Sequence, residues 1–273
     1  MSNEQKISVV VNTYNAERYL QKVIDALMGF DEVLVCDMES TDSTVAIARR
    51  NDCRVVTFPR GEHSIVEPAR EFAIHEAAFE WVLVVDADEI VTPELRDYLY
   101  DRIQQGDCPD GLYIPRHNRF MGQYTRAFTA DHQLRFFRRD VTHWPAVIHA
   151  APQVEGRTEK VAKNSRGVCF VHLADESVSD LLEKCDRYTT YDMVKKQHKH
   201  YGALALIGRP LWKFISFYFL QGNYRDGLRG LLFSGMKAVY QFALVAKVIE
   251  RRLQQSSDHT DKGSDGTSEH LQA

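Results

Sequence analysis

The chain has no Cys-x-x-Cys pair, no glycine-rich loop after its first apolar run, and no excess of positive charge. Its five cysteines, Cys36, Cys53, Cys108, Cys169 and Cys185, are scattered through 273 residues. An odd, dispersed set argues against a disulfide frame or a zinc cluster and for reduced thiols. The missing glycine loop weighs against a P-loop enzyme or a Rossmann dehydrogenase. A formal net charge of -4 leaves no electrostatic footprint for nucleic acid. No internal repeat is visible. Met1 to Lys6 is polar, and the apolar run after it is too short for a signal-peptide core. The expectation is a cytoplasmic protein.

What is present is an ordinary globular composition, 44% hydrophobic, long enough for one large domain or two modest ones. Its organising stretch runs from Glu80 to Glu89. Five apolar residues, Trp81 to Val85, read as a strand buried on both faces. The strand ends on Asp86, Asp88 and Glu89, and Thr92-Pro93 opens a helix with Thr92 as N-cap. Ligands of open α/β sheets bind beyond the carboxyl ends of the strands, which is where these acids fall. Close carboxylates call for a cation between them, and a divalent ion carrying phosphates is the natural one. The alternative is that Asp86 and Glu89 only favour the positive end of the next helix.

The surrounding pattern supports a strand–helix alternation. Ile7 to Val11 reads as a first strand, and Asn15 as the N-cap of a helix carrying Leu20, Val23, Ile24 and Leu27. Glu32 to Asp37 is a second strand that also delivers an acid at its end, with Ser40-Thr41-Asp42 capping a helix. Arg54 to Phe58 is a third strand, and Glu67 to Phe79 a helix. This order predicts a mostly parallel, helix-covered sheet. Beyond Gln105 come strands at Leu112 to Pro115, Gln133 to Arg138 and Val168 to His172, with a loop from Gly122 to Asp131. Arg116, Arg119, Arg126, Arg135, Arg138 and Arg139 make this region basic, as a solvated strand face or as a wall for phosphates.

From Ser177, which forms a capping box with Asp180, the chain turns helical. Leu211 to Leu220 holds one charge and reads as too short to span a bilayer; Leu228 to Leu253 is interrupted by Arg229, Lys237 and Lys247. A membrane interface and a helical hairpin packed on the core are both open. The predicted domains are 1–175 for the sheet, 176–253 for the helices and a disordered tail at 254–273.

The motifs Val9-Val10-Val11-Asn12-Thr13-Tyr14-Asn15, Val35 to Thr44, Pro68-Ala69-Arg70 and Val85 to Glu89 together resemble family 2 glycosyltransferases of the GT-A fold. Leu134 to Arg139, Ile148-His149, Glu155-Gly156, Val171-His172 and Tyr224 to Gly227 are similar to the branch that adds a hexose to lipopolysaccharide inner core. The resemblance implies an α/β fold: a GT-A nucleotide-sugar-binding, mostly parallel sheet with helices on both faces, followed by a C-terminal helical region. It implies an inverting, Mg²⁺- or Mn²⁺-dependent transfer from a UDP-sugar, glucose first, to a lipid-linked glycan acceptor at the inner face of the cytoplasmic membrane. Thr13, Tyr14 and Asp37 would hold the base, Arg70 would lie by the base or diphosphate, and Asp86 would face ribose and metal. Asp88 would ligate the metal, with His172 completing its shell. The branch carries His-Glu where this chain has His149-Ala150, so the base falls to His149, Glu155, Asp131 or Glu89. That departure also motivates a nucleotide-sugar-binding protein with lost turnover. A nucleotidyltransferase is a third reading, without the glycine loop and basic residue it should show.

Overall fold

The computed structural model describes residues 5–61, 66–124, 132–145, 151–162 and 165–264, with the backbone alone at Glu176 and at 256–264. The chain falls into two compact units, Met1–Arg119 with Phe128–Asp175, and Phe120–Ala127 with Glu176–Ala273.

The first unit begins β1 (Ile7–Thr13), α1 (Glu17–Ala26), β2 (Glu32–Asp37), α2 (Thr44–Arg50), β3 (Arg54–Thr57), α3 (Glu67–Glu76) and β4 (Trp81–Asp86). It continues β5 (Glu89–Val91), α4 (Pro93–Gln104) and β6 (Gly111–Phe120); β7 (Gln123–Tyr124) belongs to the second unit. Then follow β8 (His132–Arg138), β9 (Thr142–His143), β10 (Gln153–Val154), β11 (Thr158–Lys160) and β12 (Phe170–Glu176). The main sheet runs β3-β2-β1-β4-β8-β6-β12-β5, and β9 and β10 make a separate pair. β1 to β4 are parallel, β8 runs antiparallel between β4 and β6, and β5 lies antiparallel to β12.

Strand alternation sorts the core into two layers. Val9, Val11, Val35, Leu83 and Val85 pack against α1, α2 and α4. Val10, Leu34, Cys36, Val82 and Val84 pack against α3 and the Trp144 indole. Helices therefore cover both faces, which explains why these strands read as unbroken apolar runs.

Several local expectations change. Asn15 is not a cap: Ala16 takes that position without a side-chain bond, and Asn15 has φ 48°. Its Oδ1 instead accepts from the Thr41 N–H at 2.9 Å, tying the two strand-end turns together. The cap of α2 is Ser43, although Asp42 accepts from the Thr44 N–H at 2.9 Å. β5 was not expected, β6 extends through the basic stretch to Phe120, and β12 runs four residues past His172 to Glu176. Thr92 does cap α4, accepting from the Leu95 N–H.

The second unit holds α5 (Val178–Lys196), α6 (Ala203–Ile215), a π-helical turn (Ser216–Leu220), a 3-10 turn (Asn223–Asp226) and α7 (Gly227–Ser264). The Ser177–Asp180 capping box is present. α5 and α7 meet around Leu244, Val245 and Val248, with Tyr201 against them. The π-helical turn prolongs α6, so the run Ala203–Leu220 is longer than expected, and both it and Asn223–Gln255 are long and apolar enough to cross a membrane. The α7 backbone also continues to Ser264 rather than stopping at 253. Between Gln254 and Lys262 no Pro or Gly interrupts it.

One bond set fastens β9 to α3. Glu71 accepts from the Trp144 N–H at 2.6 Å and meets His143 Nδ1 at 2.8 Å. Burial opposes its charge, but the Trp144 N–H, His143 and His75 outweigh this and hold the carboxyl below the usual range. A depressed acid stabilises the fold fully above its unfolded value of about 4.3 and loses that effect as pH falls through the folded value. Glu71→Gln is expected to cost about 1–2 kcal/mol at neutral pH in urea unfolding. The gap to wild type should close as the medium is acidified below that range.

Candidate active site

The carboxyl rim of β1, β2 and β4 carries Thr13, Asp37 and Asp86 in register, since Thr13 pairs with Asp37 and Asn12 with Asp86. Parity then separates the acids. Thr13 and Asp37 point to the α1–α2 side and Asp86 to the α3 side. On the first side, Asp37 Oδ1 accepts from Thr13 Oγ1 at 2.9 Å and Ser40 Oγ at 2.6 Å, and Oδ2 from the Ser40 N–H at 2.9 Å. Asp37 is 2% exposed, and Oδ2 keeps one acceptor site. Tyr14 beside it is exposed, with the Arg60 guanidinium 3.9 Å from its ring centroid. Arg60 also meets the Tyr14 hydroxyl, and its N–H donates to Glu39 at 3.2 Å. Sequence reasoning missed Arg60, because nothing in the stretch around it marks it as facing Tyr14.

On the α3 side, Asp86 lies between two guanidiniums. Arg135 takes both oxygens, at 3.2 and 2.7 Å, and Arg70 binds Oδ1. The Trp144 indole lies against both cations, 4.8 Å from Arg70 and 5.7 Å from Arg135. Burial opposes the charge on Asp86, yet Arg135 and Arg70 hold its carboxyl far below the usual range. Glu89, fully buried, accepts from Arg116 at 3.1 Å and from the Asp86 N–H at 3.2 Å. Desolvation and the Asp86 charge push Glu89 upward. So Asp86 is engaged by two arginines, and Arg70 serves it directly. Glu89 has no exposed surface with which to take an acceptor's proton.

Four of the six arginines of the basic stretch are likewise engaged internally. Arg135 and Arg116 neutralise acids, while Arg138 pairs with Glu80 and Asp140 at the other end of β4. Arg139 reaches the Ala77 carbonyl. These four do not form a phosphate wall; Arg126 lies outside the described residues.

Asp88 and His172 are brought together, and the unexpected β5 explains how. β12 pairs with β5 so that His172 faces Glu89, and the Leu173 N–H donates to the Asp88 carbonyl at 2.8 Å. The two side chains meet at 3.1 Å, Nε2 to Oδ2. His172 Nδ1 is buried and makes no hydrogen bond among the described residues. A carboxylate and an imidazole suit a divalent cation, and among the described residues no third His, Cys, Asp or Glu joins them. Such a pair fits an ion that arrives with, and is completed by, the oxygens of a diphosphate and water.

Glu155 is not part of this rim. Its N–H donates to the Val141 carbonyl at 2.8 Å, and Val141 follows Arg138, which pairs with Trp81 at the amino end of β4. Asp86 ends the same strand, about 17 Å away at ~3.3 Å per residue. His149 and Asp131 lie outside the described residues.

The arginine pair gives a direct test. Arg135→Met leaves the Asp86 charge half compensated and should destabilise the first unit by about 3–5 kcal/mol in urea unfolding. Arg135→Met with Asp86→Asn should recover much of that loss, whereas strict additivity would show that the two side chains do not act together.

Comparison with known proteins bears on this rim. The family model described as "Glycosyl transferase family 2" matches residues 8–153, which carry Thr13, Asp37, Arg70, Asp86 and Asp88. The lipopolysaccharide core biosynthesis glycosyltransferase LpsC of Rhizobium meliloti is 26% identical over 93% of this chain and 96% of its own. An uncharacterised glycosyltransferase of Rickettsia typhi is 26% identical over 91% and 88%. Among solved structures, S. aureus TarS in complex with UDP aligns over 90% of this chain and 92% of that one, at 18% identity and a TM-score of 0.47. Glucosyl-3-phosphoglycerate synthase from Mycobacterium tuberculosis, with Mn²⁺ and UDP, is 26% identical at a TM-score of 0.33. That match spans 43% of this chain and 45% of that enzyme. The mostly parallel sheet with helices on both faces and a helical C-terminal region is the GT-A architecture that the sequence motifs imply. With the family match spanning more than half of its length and all of the acid rim of β1, β2 and β4, the chain belongs to glycosyl transferase family 2 and is a glycosyltransferase.

Proposed function

We propose that this enzyme moves a hexose, glucose first among candidates, from a UDP-sugar to a lipid-linked glycan such as lipopolysaccharide core, with inversion and with Mg²⁺ or Mn²⁺. It would act in the cytoplasm, against the inner face of the cytoplasmic membrane. The observation that carries the reading is the Asp88–His172 pair on the same rim as the Thr13–Asp37 turn. A bound divalent cation there would neutralise charge developing on the departing diphosphate. Asp88 and His172 would hold that ion. Thr13, Tyr14 and Asp37 would seat the base, with the free Oδ2 site of Asp37 taking a ring N–H. Asp86, fixed by Arg70 and Arg135, would orient the ribose side of the donor. The name of the R. meliloti relative supports the acceptor class.

Asp88→Asn preserves size while removing a charge, so melting should stay near wild type while donor turnover falls by about 10²–10³-fold. Unchanged turnover in that variant, or full activity of the native enzyme in EDTA, would defeat the metal assignment. Raised melting with UDP-glucose and Mn²⁺ together, beyond other nucleotide sugars, would identify the donor.

An inverting transfer needs a base on the acceptor side. His149 is our assignment. It follows Trp144 by five residues in sequence, and the Trp144 indole lies against Arg70 and Arg135. An imidazole with an ordinary pKa of about 6.5 is mostly neutral at pH 7 and able to accept a proton. Asp131 is the remaining carboxylate candidate. His149→Ala is expected to lower turnover far more than donor affinity measured by calorimetry, while Glu155→Gln leaves both near wild type. The reverse ranking would move the base to Glu155 despite its place at the amino end of β4.

A further inference from the structure

We propose that α6 and α7 present a surface that lies on an anionic phospholipid bilayer, along it rather than through it. The inference stands on the second unit alone and does not depend on the sugar-transfer reading.

The apolar residues are at helical spacing but turned outward. On α6, Leu204, Ile207 and Leu211 are 87%, 71% and 56% exposed, and none of Ala203–Leu220 is buried. On α7, Leu228, Leu231, Leu232, Val239 and Phe242 repeat the arrangement at i, i+3, i+4, i+11 and i+14, all exposed. α7 meanwhile buries a different stripe, Leu244, Val245 and Val248, inside the unit. A soluble monomer rarely exposes apolar stripes of this extent without a partner.

Charge selects the partner. From 203 to 249 the cations are Arg209, Lys213, Arg225, Arg229, Lys237 and Lys247, against the single acid Asp226, and of these Lys247 is paired with Asp186 of α5, in a chain whose net charge is -4. Trp212 is exposed at 63% and shares a groove of about 520 Å³ with Arg209, Lys213 and Ser216. An indole between two cations suits the headgroup layer, where an amphipathic ring sits with one end dry and lipid phosphates lie within reach. Docking of a second copy would set this cationic face against its own image, so like charges oppose that arrangement.

Both runs are long enough to span, yet Arg209 and Lys213 fall in the middle of the first and Lys237 in the middle of the second. Each would cost about 2.5–3.5 kcal/mol at the bilayer centre. Lying flat, the same side chains extend into the headgroups while Leu204, Ile207 and Leu211 enter the acyl boundary.

The test is sedimentation of the full-length protein with vesicles of phosphatidylcholine alone or mixed with phosphatidylglycerol. Binding is expected to the mixed vesicles and to weaken with salt. Leu204→Glu with Ile207→Glu, and separately Arg209→Glu with Lys213→Glu, should each reduce binding by about tenfold or more. Melting temperature and UDP-sugar hydrolysis without vesicles should stay at wild-type values, which separates this proposal from the catalytic one. No binding to the mixed vesicles overturns it, as does binding that neither pair of substitutions weakens. Retention of the protein in vesicles through alkaline carbonate extraction would show spanning and overturn it too. So would self-association in solution that Leu204→Glu with Ile207→Glu abolishes while vesicle binding is absent.

Discussion

The structure of the catalytic unit depends on one buried charge arrangement, Asp86 held between Arg70 and Arg135. Each partner comes from a different element. Asp86 ends β4, Arg70 lies on α3 and Arg135 on β8. Glu89 and Arg116 extend the arrangement to β5 and β6. Burial of this much charge is not in itself favourable, and replacement by apolar groups of the same shape could leave the fold as stable. What the set supplies is registry. The antiparallel β8 can be accepted at the edge of β4 only in the register that brings Arg135 to Asp86, because any other leaves a buried cation unpaired. Arg135 is 5% exposed, so its charge without Asp86 would carry a large cost.

Registry matters because strand parity divides the rim. Asp37 ends β2 and Asp86 ends β4, parallel strands with β1 between them, yet their side chains leave on opposite faces. A ligand that uses both must therefore lie across the strand ends rather than on one layer of helices. Thr13 and Ser40 fix Asp37 on one side, and two arginines fix Asp86 on the other. Both carboxylates are immobilised before any ligand arrives, so little ordering remains to oppose binding.

Much of this was legible in the chain. β1, β2 and β4 announce themselves as apolar runs ending in polar residues, since burial on both faces leaves no alternation to confuse the pattern. Thr92-Pro93 marks the start of α4 because its hydrogen-bonding chemistry is local. The acid motif and its place at a strand end were equally local, whereas His172 was named only from the family resemblance. What failed was whatever depends on a distant partner. β5 is three residues long and exists because β12 pairs with it. Arg135 and Arg116 read as a basic surface, and only the fold shows that each faces an acid far away in sequence. Glu155 lay near His149 in sequence, but the β9–β10 pair sets it at the amino end of β4. Asn15 looked like a cap, and its side chain instead ties the first turn to the second.

The pairing of β5 with β12 has a chemical consequence under the proposed function. It sets one carboxylate and one imidazole side by side, and among the described residues no third His, Cys, Asp or Glu joins them. A two-donor site of this kind holds a hard cation weakly alone, because such ions need oxygen ligands on every side. The diphosphate of a donor would supply those oxygens, and the ion would in turn offset the charge of the diphosphate. Each would then strengthen the other's binding by the same factor, as linkage requires. An active site built this way would bind metal appreciably only when a donor is present. On that reading, having two protein ligands would itself couple the cation to the sugar nucleotide.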